Sequence, residues 1–222
     1  SKNVKEVLVK KEKAKPTKIH LVEHGFNLNQ FKEIQEERIQ LLKKKYQLPR
    51  NRIVIGVISR YIEWKGVDYI VNGFEVVQKQ FQNVHLIIAN AKGPYKAVIE
   101  KELEKLRKGT YTEIEFENDL FAIYHLFDIY VHAPIDPNIE AFGQTYVEAL
   151  ASEIPSIFTL SGIAKDFIEN DKNALVVDYK SSNQIAKAII RLIENEDLKE
   201  TLRKNGLESV QRYNLADFCN KL

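Results

Sequence analysis

Two glutamates lie eight residues apart in a stretch whose apolar residues have helical spacing. They are Glu140 and Glu148 in IEAFGQTYVEALASEIPS, residues 139–156. If a helix begins just after Glu140, the carboxylates are about 12 Å apart along its axis, at about 1.5 Å per residue. Carboxylates accept hydrogen bonds from hydroxyl groups such as those of sugars, so the pair would suit a long ligand. The alternative is that Glu140 only complements the helix dipole and that Glu148 is an ordinary surface residue.

Two basic residues stand in the loop that leaves the first predicted strand. Arg60 and Lys65 are separated by four residues there, and Gly66 then opens a helix. A guanidinium binds phosphate oxygens in pairs and an ammonium adds a mobile point charge, so the two cations fit a diphosphate. Exposed loop cations without a ligand are the alternative. Because the cations and the glutamates both follow strand ends of one predicted sheet, a common site is favoured.

The elements that must position these residues alternate between strands and helices. Apolar, β-branched runs predict strands at 52–59, 84–90, 114–117, 128–133, 155–159 and 174–177. Helical or turn-rich segments separate them, and two helices close the chain. A parallel strand needs a long crossover, so this alternation predicts an α/β fold with a doubly wound, Rossmann-like parallel sheet. Ligands of such sheets bind beyond the carboxyl ends of the strands.

The composition suits one globular domain or one domain with an appendage. The chain has 222 residues, of which 44% are hydrophobic and 29% charged, and its net charge is +2. Its first 18 residues nevertheless hold seven lysines and two glutamates. This segment is either a solvated face or a surface that attracts anionic lipid or an acidic partner. It has no aromatic residues to interleave with the lysines, so nucleic acid is not an expected partner.

Several classes of chemistry lack sequence support. The chain contains no GxGxxG, GxxxxGK[ST], HExxH or GxSxG motif, and its five histidines are scattered. Cys219 is the only cysteine, so we expect an inert thiol and a reducing cytoplasm. No apolar run approaches the roughly 18 residues of a membrane span. The chain lacks methionine and begins at SKNVKEVLVK, so we expect a fragment of a longer protein.

The sequence resembles a known family in three places. SRYIEWKGVDYIV, the pair Glu140 and Glu148, and NDKNALVV together resemble the carboxyl-terminal domain of the GT-B retaining glycosyltransferases of family 4. The resemblance implies that residues 1–28 are the remnant of a preceding domain and an interdomain linker. Residues 29–222 would then be a Rossmann-like domain that binds a nucleotide-sugar donor. In that family the preceding domain binds the acceptor, so this chain would be inactive without it.

The resemblance also implies a mechanism. Arg60 and Lys65 would hold the diphosphate of a nucleoside diphosphate sugar, and Glu140 would lie beside the transferred hexose. Transfer with retention requires that the leaving diphosphate be stabilised while the anomeric carbon becomes cationic. Because side-chain cations would do this, no metal and no cofactor are expected. Glu140 is expected to act through position and charge, since no close carboxylate pair indicates a covalent nucleophile.

Three further residues receive roles from the resemblance. Glu148 would accept hydrogen bonds from the ribose hydroxyls. Phe142 and Gly143 would present backbone N–H groups to the sugar or phosphate, and glycine permits a close approach there. The donor base, the sugar, the acceptor and the linkage are not predicted.

The chain departs from the family pattern in the loops around this site. AKGP at 91–94 stands where the family usually has G-x-G-P, and Gly162 and Ile163 stand where it often has two glycines. A glycine that commonly ends the third strand is replaced near Asn118. These changes affect the predicted wall around the base and the loop at 160–164, but not the four charged residues.

Two other interpretations remain open. One is a related GT-B enzyme, either a sugar phosphorylase, which would need pyridoxal phosphate, or a nucleotide-sugar epimerase. The other is a non-enzymatic α/β interaction module whose basic start binds a partner. The favoured interpretation is a hexosyltransferase of bacterial polysaccharide biosynthesis in the cytoplasm, with peripheral membrane contact through the lysine-rich start left open.

Overall fold

A six-stranded parallel β-sheet forms the centre of the computed structural model, which describes residues 1–22 and 24–216. Its strands are β1 (Ile53–Ile58), β2 (Val84–Ala89), β3 (Tyr111–Ile114), β4 (Ile129–His132), β5 (Ser156–Phe158) and β6 (Leu175–Val176). The spatial order is β3-β2-β1-β4-β5-β6, and every neighbouring pair is parallel. This confirms the predicted doubly wound, Rossmann-like α/β class.

The described residues form ten α-helices, most of which pack on one of the two faces of the sheet. They are α1 (Lys2–Lys10), α2 (Asn29–Lys32), α3 (Glu36–Lys45), α4 (Val67–Gln80), α5 (Lys96–Leu103), α6 (Leu120–Tyr124), α7 (Gln144–Ala151), α8 (Ala164–Phe167), α9 (Ser182–Glu194) and α10 (Glu196–Val210). Helices α4, α5 and α9 pack on one face, and α2, α3, α6 and α7 pack on the other.

The central strands carry apolar residues on both faces because helices cover both. Along β1, Ile55 and Val57 pack with α4 and α9, whereas Ile58 packs in the opposite core. All six residues of β2 are buried. Full burial of an apolar side chain contributes about 1.5–3 kcal/mol, so these runs are nearly continuous in apolar residues rather than alternating. The exception is buried His85 of β2, whose Nε2 lies 2.9 Å from Thr112 Oγ1.

One predicted strand is misplaced. The sequence predicts a strand at 114–117, but β3 is Tyr111–Ile114 and pairs with Leu86–Ala89 of β2. The residues that follow β3 lie in a loop, where Phe116 is 62% exposed. An edge strand such as β3 is only partly buried, so it lacks the continuous apolar run by which the central strands are recognised.

The lysine-rich beginning of the chain contacts the loop after β4. Its first segment forms α1. The side-chain amide of Asn3 donates to the carbonyls of Asn138 at 3.0 Å and Glu140 at 3.1 Å. The division of the chain after residue 28 stays a prediction.

The strand order reverses at β1. The strand that follows β1 in sequence lies on one side of it, and β4 lies on the other. The loops that leave the carboxyl ends of β1 and β4, residues 59–66 and 133–143, therefore start side by side. In doubly wound sheets this switch point is where ligands bind.

Candidate functional site

Close backbone packing fixes the loop after β1 against the loop after β4. Gly66 has φ +66°, and a Cβ atom on it would lie 2.2 Å from the carbonyl oxygen of Ala133. The Ile135 amide donates to the carbonyl of Trp64 at 3.1 Å. Only glycine fits at position 66, because any side chain would clash with the loop after β4. The 3-10 turn that ends at Lys65 can therefore pack closely against that loop.

Lys65, Glu140 and His132 form a cluster where these loops meet. Lys65 Nζ lies 2.6 Å from Glu140 Oε1, and His132 Nε2 lies 3.2 Å from the same oxygen. Glu140 is 9% exposed and His132 is 2% exposed. The fold thus joins the predicted cation Lys65 to the predicted acid Glu140 and adds the last residue of β4.

Burial and charge set the protonation states in this cluster. Burial by itself would raise the pKa of Glu140, but the hydrogen bond from His132 and the charge of Lys65 outweigh it and lower that pKa to about 2. Burial lowers the pKa of His132 by more than Glu140 raises it. At neutral pH Glu140 is therefore a carboxylate beside the Lys65 ammonium, and neutral His132 donates its Nε2–H to it.

The loop after β5 holds the backbone around Glu140. The Glu140 amide donates to Ser161 Oγ at 3.2 Å, and the Ile163 amide donates to the Phe142 carbonyl at 3.0 Å. Gly162 has φ +58°, and a Cβ atom on it would lie 2.5 Å from that carbonyl oxygen and 2.8 Å from Glu140 Cβ. Ile163 stands where the family often has a second glycine, and its side chain is buried in the core. This departure leaves the loop closed on Glu140.

Arg60 lies at the start of the loop after β1 with an exposed side chain. Its carbonyl accepts hydrogen bonds from Ser59 Oγ at 3.2 Å and the Ile62 amide at 2.9 Å. Its guanidinium makes no hydrogen bond or ion pair with any residue that the structure describes. The fold therefore places Arg60 in the Lys65 loop without bringing it into contact with Glu140.

The helix that carries Glu148 begins later than the sequence suggests. Helix α7 starts at Gln144 with Gly143, φ +91°, as its N-cap, so a helix from just after Glu140 is wrong. The physical reason is the loop after β5, which ties the backbone of residues 140–142 into a non-helical path. The estimate of about 12 Å along one helix axis therefore does not apply.

Backbone amides are available at the start of α7. The N–H groups of Gln144 and Thr145, the first two residues of the helix, donate to no described residue, whereas the Tyr146 amide donates to the Gly143 carbonyl at 3.2 Å. The amides of Phe142 and Gly143 donate to no residue in the described part of the chain. The Phe142 ring packs 6.1 Å from the Phe26 ring and 5.8 Å from the Tyr213 ring, measured between centroids. A helix start held in this way suits an anion.

Glu148 is buried in α7, with 8% of its surface exposed, so the surface alternative is wrong. Tyr124 donates its hydroxyl to Glu148 Oε2 at 2.7 Å, and no other described residue donates to this carboxylate. Burial raises the pKa of Glu148, and the Tyr124 hydrogen bond opposes that rise. Glu148 is therefore a buried carboxyl group whose second oxygen, Oε1, accepts no hydrogen bond from these residues.

The AKGP segment docks on the loop after β1. Buried Tyr61 donates its hydroxyl to Glu113 at 2.7 Å, and its carbonyl accepts from the Tyr95 amide at 3.0 Å. A Cβ atom on Gly93 would lie 2.3 Å from the same carbonyl oxygen. Ala91, which replaces the first glycine of the family pattern, is buried without disturbing this contact.

Three residues that contact the predicted acids have no role in the prediction from sequence: His132, Ser161 and Tyr124. His132 carried a usable signal, because it ends a strand whose carboxyl end was expected to face a ligand. Tyr124 and Ser161 carried none, since each meets its glutamate only through the packing of distant segments.

Other site types find little support in the structure. The described residues contain no group of three or more histidine, cysteine, aspartate or glutamate side chains that could hold a metal ion. None of the described helices is both long and apolar enough to cross a membrane. Cys219, predicted to be inert, lies outside the described residues.

The chain matches one protein family along most of its length. The model of the family described as Glycosyl transferases group 1 matches residues 38–209. The capsular polysaccharide biosynthesis glycosyltransferase CapM of Staphylococcus aureus is 26% identical over 213 residues, which cover 95% of this chain and 55% of CapM. The chain spans about half the length of the curated relatives that it matches along most of its own length.

Two solved structures have a similar fold. The C-terminal domain of the glycosyl transferase group 1 family protein LpcC from Francisella tularensis gives a TM-score of 0.74 at 27% identity, covering 86% of this chain and 100% of that domain. Anabaena HepE, in complex with UDP and glucose, gives a TM-score of 0.83 at 20% identity, covering 94% of this chain and 56% of HepE.

Proposed function

Because the chain belongs to the group 1 glycosyl transferases, we propose that it is the carboxyl-terminal, donor-binding domain of a retaining GT-B enzyme of family 4. Residues 29–222 would bind a nucleoside diphosphate sugar, from which the whole enzyme transfers a hexose. Residues 1–28 would be the remnant of the acceptor-binding domain and the linker. The chain by itself would bind the donor without turnover.

The contact between Lys65 and Glu140 carries this proposal. A phosphate bound by Lys65 Nζ would lie within a few ångströms of Glu140, because the two side chains are 2.6 Å apart. In a nucleoside diphosphate sugar the diphosphate is bonded to the anomeric carbon. A donor held by Lys65 would therefore place its transferred sugar beside Glu140.

The surrounding groups suit the departure of a diphosphate. Lys65 and the exposed guanidinium of Arg60 would stabilise its negative charge, together with the amides of Phe142 and Gly143. Glu140, ionised at neutral pH, would orient the sugar and stabilise positive charge at the anomeric carbon. Its Oε1 already accepts hydrogen bonds from two side chains, which favours this electrostatic role over covalent attack. No metal or cofactor is needed in this mechanism.

Glu148 would bind the ribose of the donor. Tyr124 occupies one oxygen of its carboxyl group and leaves the other for a ribose hydroxyl. The two glutamates would thus contact the two ends of one extended ligand, with the diphosphate between them.

The relatives support the choice of ligand and context. HepE is described in complex with UDP and glucose, the two parts of a nucleotide sugar. The LpcC structure is described as that of a C-terminal domain, and the match to this chain covers all of that domain. The name of CapM supports a role in bacterial polysaccharide biosynthesis. Within this proposal the enzyme works in the cytoplasm, and the lysine-rich start is a candidate for peripheral membrane contact.

A calorimetric titration of the chain with UDP-, GDP- and ADP-sugars tests the proposal. We expect one nucleotide class to bind, and Lys65→Ala to weaken binding at least about tenfold through loss of a charge-assisted contact. Lys101→Ala, which removes an exposed lysine of α5, is the matched control and should leave the affinity unchanged. A folded chain that binds none of these sugars would contradict the proposal and favour an interaction module, whereas pyridoxal phosphate absorbance would favour a phosphorylase.

A further inference from the structure

A cavity lies at the amino-terminal end of β1 and β4, the end opposite to Glu140. It has a volume of about 850 Å³ and is lined by the end of α3, the segment that leads into β1 and the turn before β4. The length of strand β1 separates the cavity from the carboxyl end of the sheet. Its six residues span about 20 Å at about 3.3 Å each. A ligand in this cavity would therefore not touch the proposed donor site.

The lining of this cavity is strongly basic. Lys43, Lys44, Arg50 and Arg52 contribute four positive charges, and Asp128 is the one acidic residue of the lining within the described chain. Asp128 Oδ2 already accepts a hydrogen bond from a backbone amide of β1 at 2.7 Å. The cavity thus carries a formal excess of three positive charges, apart from any charge on its histidine.

Most of these cations have no internal counterion. Lys43, Lys44 and Arg50 have no carboxylate within ion-pair distance among the described residues. The adjacent Lys45 does, because its Nζ lies 2.5 Å from Glu117. Lysines at the end of α3 complement the helix dipole. That effect does not account for Arg50, which lies beyond the helix and lines the same cavity.

The lining of the cavity also includes apolar side chains. Leu126 and Phe127 line it and are 5% and 7% exposed. An arginine fork and lysine ammonium groups are the side chains that bind phosphate. We propose that this basic cavity, formed by Lys43, Lys44, Arg50, Arg52, Leu126 and Phe127, binds an organophosphate with at least two negative charges. The phosphate groups of the ligand would contact the cations, and its organic part would pack against Leu126 and Phe127.

Two sources supply this chemistry, and the experiment separates them. One is a soluble sugar phosphate, for which fructose 1,6-bisphosphate is the probe; the other is the headgroup of an anionic lipid, for which phosphatidylglycerol vesicles are compared with phosphatidylcholine vesicles. Amide chemical shifts of the 15N-labelled chain locate the soluble probe, and co-sedimentation measures vesicle binding. The shifts distinguish residues 43–54 and 125–128 from the proposed donor site at 60–66 and 140–148.

Two triple variants provide the comparison. Lys43→Gln/Lys44→Gln/Arg50→Gln removes three cavity charges, and Lys101→Gln/Lys108→Gln/Lys187→Gln removes three exposed charges that form no ion pair with a described residue and lie outside both sites and the lysine-rich start. We expect the cavity variant to bind either the sugar bisphosphate or the anionic vesicles at least about tenfold more weakly, while the control stays within about twofold.

The outcomes decide the proposal independently of the donor site. Shifts at the cavity, or vesicle binding lost only in the cavity variant, would support it and identify the source. It would be overturned if neither probe acts at the cavity, if shifts appear only at 60–66 and 140–148, or if both variants lose binding equally. Because shift mapping uses the unaltered chain, the answer for the soluble probe does not depend on whether the variants fold, and circular dichroism of both variants checks their fold before the vesicle comparison.

Discussion

Glu140 and Glu148 are both buried glutamates of one sequence motif, yet their surroundings shift their pKa values in opposite directions. Glu140 contacts Lys65 and His132, and its pKa falls to about 2. Among the described residues only Tyr124 donates a hydrogen bond to the Glu148 carboxylate, and burial raises the pKa of Glu148. The spacing of the two glutamates in the sequence therefore does not make them acids with similar pKa values. The first is built as a permanent anion, and the second as a carboxyl group that is costly to ionise.

The largest expected difference separates the two glutamine variants. We expect ionised Glu140 to contribute on the order of 3 kcal/mol to stability at neutral pH, because its pKa is lowered from the ordinary 4.5 to about 2 and each pKa unit corresponds to about 1.4 kcal/mol. Because the folded pKa is lowered, this contribution is present above about pH 4.5 and is lost as the pH falls toward 2. Glu140→Gln should therefore be less stable than the wild type at pH 7, with the deficit shrinking in acid.

Glu148→Gln should behave in the opposite way. Its folded pKa is raised, so the wild type is penalised once the pH rises above the ordinary 4.5. The variant should be at least as stable as the wild type at pH 7, and its advantage should vanish below about pH 4.5. Urea unfolding of all three proteins between pH 3 and 8, a range chosen to bracket these values, measures both effects. Similar pH profiles for the two variants would contradict the comparison.

Removal of the cation should have the next largest effect. Lys65→Ala leaves Glu140 without its ion-pair partner, which we expect to cost about 2–4 kcal/mol in urea unfolding at pH 7, since the pair is mostly buried. Lys79→Ala is the matched control because it breaks an exposed ion pair with Glu75, and it should cost about 0–1 kcal/mol.

A double variant isolates the interaction between the two side chains. Lys65→Ala/Glu140→Ala should be more stable than the sum of the single changes predicts, because no unpaired charge remains. Additive losses would show that Lys65 does not account for the low pKa of Glu140.

Gly162 tests whether the loop after β5 maintains the environment of Glu140. Gly162→Ala would force a Cβ atom to 2.5 Å from the Phe142 carbonyl, at φ +58°. Gly109→Ala is the control, because Gly109 has φ +75° but no atom within 4 Å of such a Cβ. Both variants carry a backbone cost of about 1–2 kcal/mol, and we expect the Gly162 variant to lose about 1–3 kcal/mol more.

Ligand binding separates that loop effect from a general loss of stability. Only Gly162→Ala should weaken binding of the nucleotide sugar identified by calorimetry, since only this change displaces Glu140. Equal affinities for the two glycine variants would remove the loop from the account of the site.

The fold was largely predictable because its central strands are buried on both faces. β1 and β2 are apolar apart from His85 of β2, and such runs are recognisable in the sequence. The position of the edge strand β3 was not predicted correctly because this strand is only partly buried. Its position depends on pairing with Leu86–Ala89. The start of α7 was not predicted correctly either, because it too depends on contacts with a distant segment. The loop after β5 and Gly143 make the helix begin at Gln144.

The site was predictable only where function follows strand ends. Arg60, Lys65 and Glu140 lie in loops at carboxyl ends, and the fold brings the last two into contact. The pairing of Glu148 with Tyr124 was not predictable, because two helices must pack before the residues meet. The sequence therefore indicated which side chains gather at this edge, but not the electrostatic contrast between the glutamates.

The smallest expected effect concerns the hydroxyl group beside Glu148. Tyr124→Phe should cost about 1 kcal/mol through loss of one buried hydrogen bond, and Tyr146→Phe, whose hydroxyl donates to the Thr159 carbonyl at 3.0 Å, should cost a similar amount. Only the first change should alter pH dependence. Without the Tyr124 hydrogen bond the pKa of Glu148 rises further, so Tyr124→Phe should lose additional stability between pH 5 and 8, the range chosen for urea unfolding. Parallel profiles for the two phenylalanine variants would mean that burial alone governs Glu148.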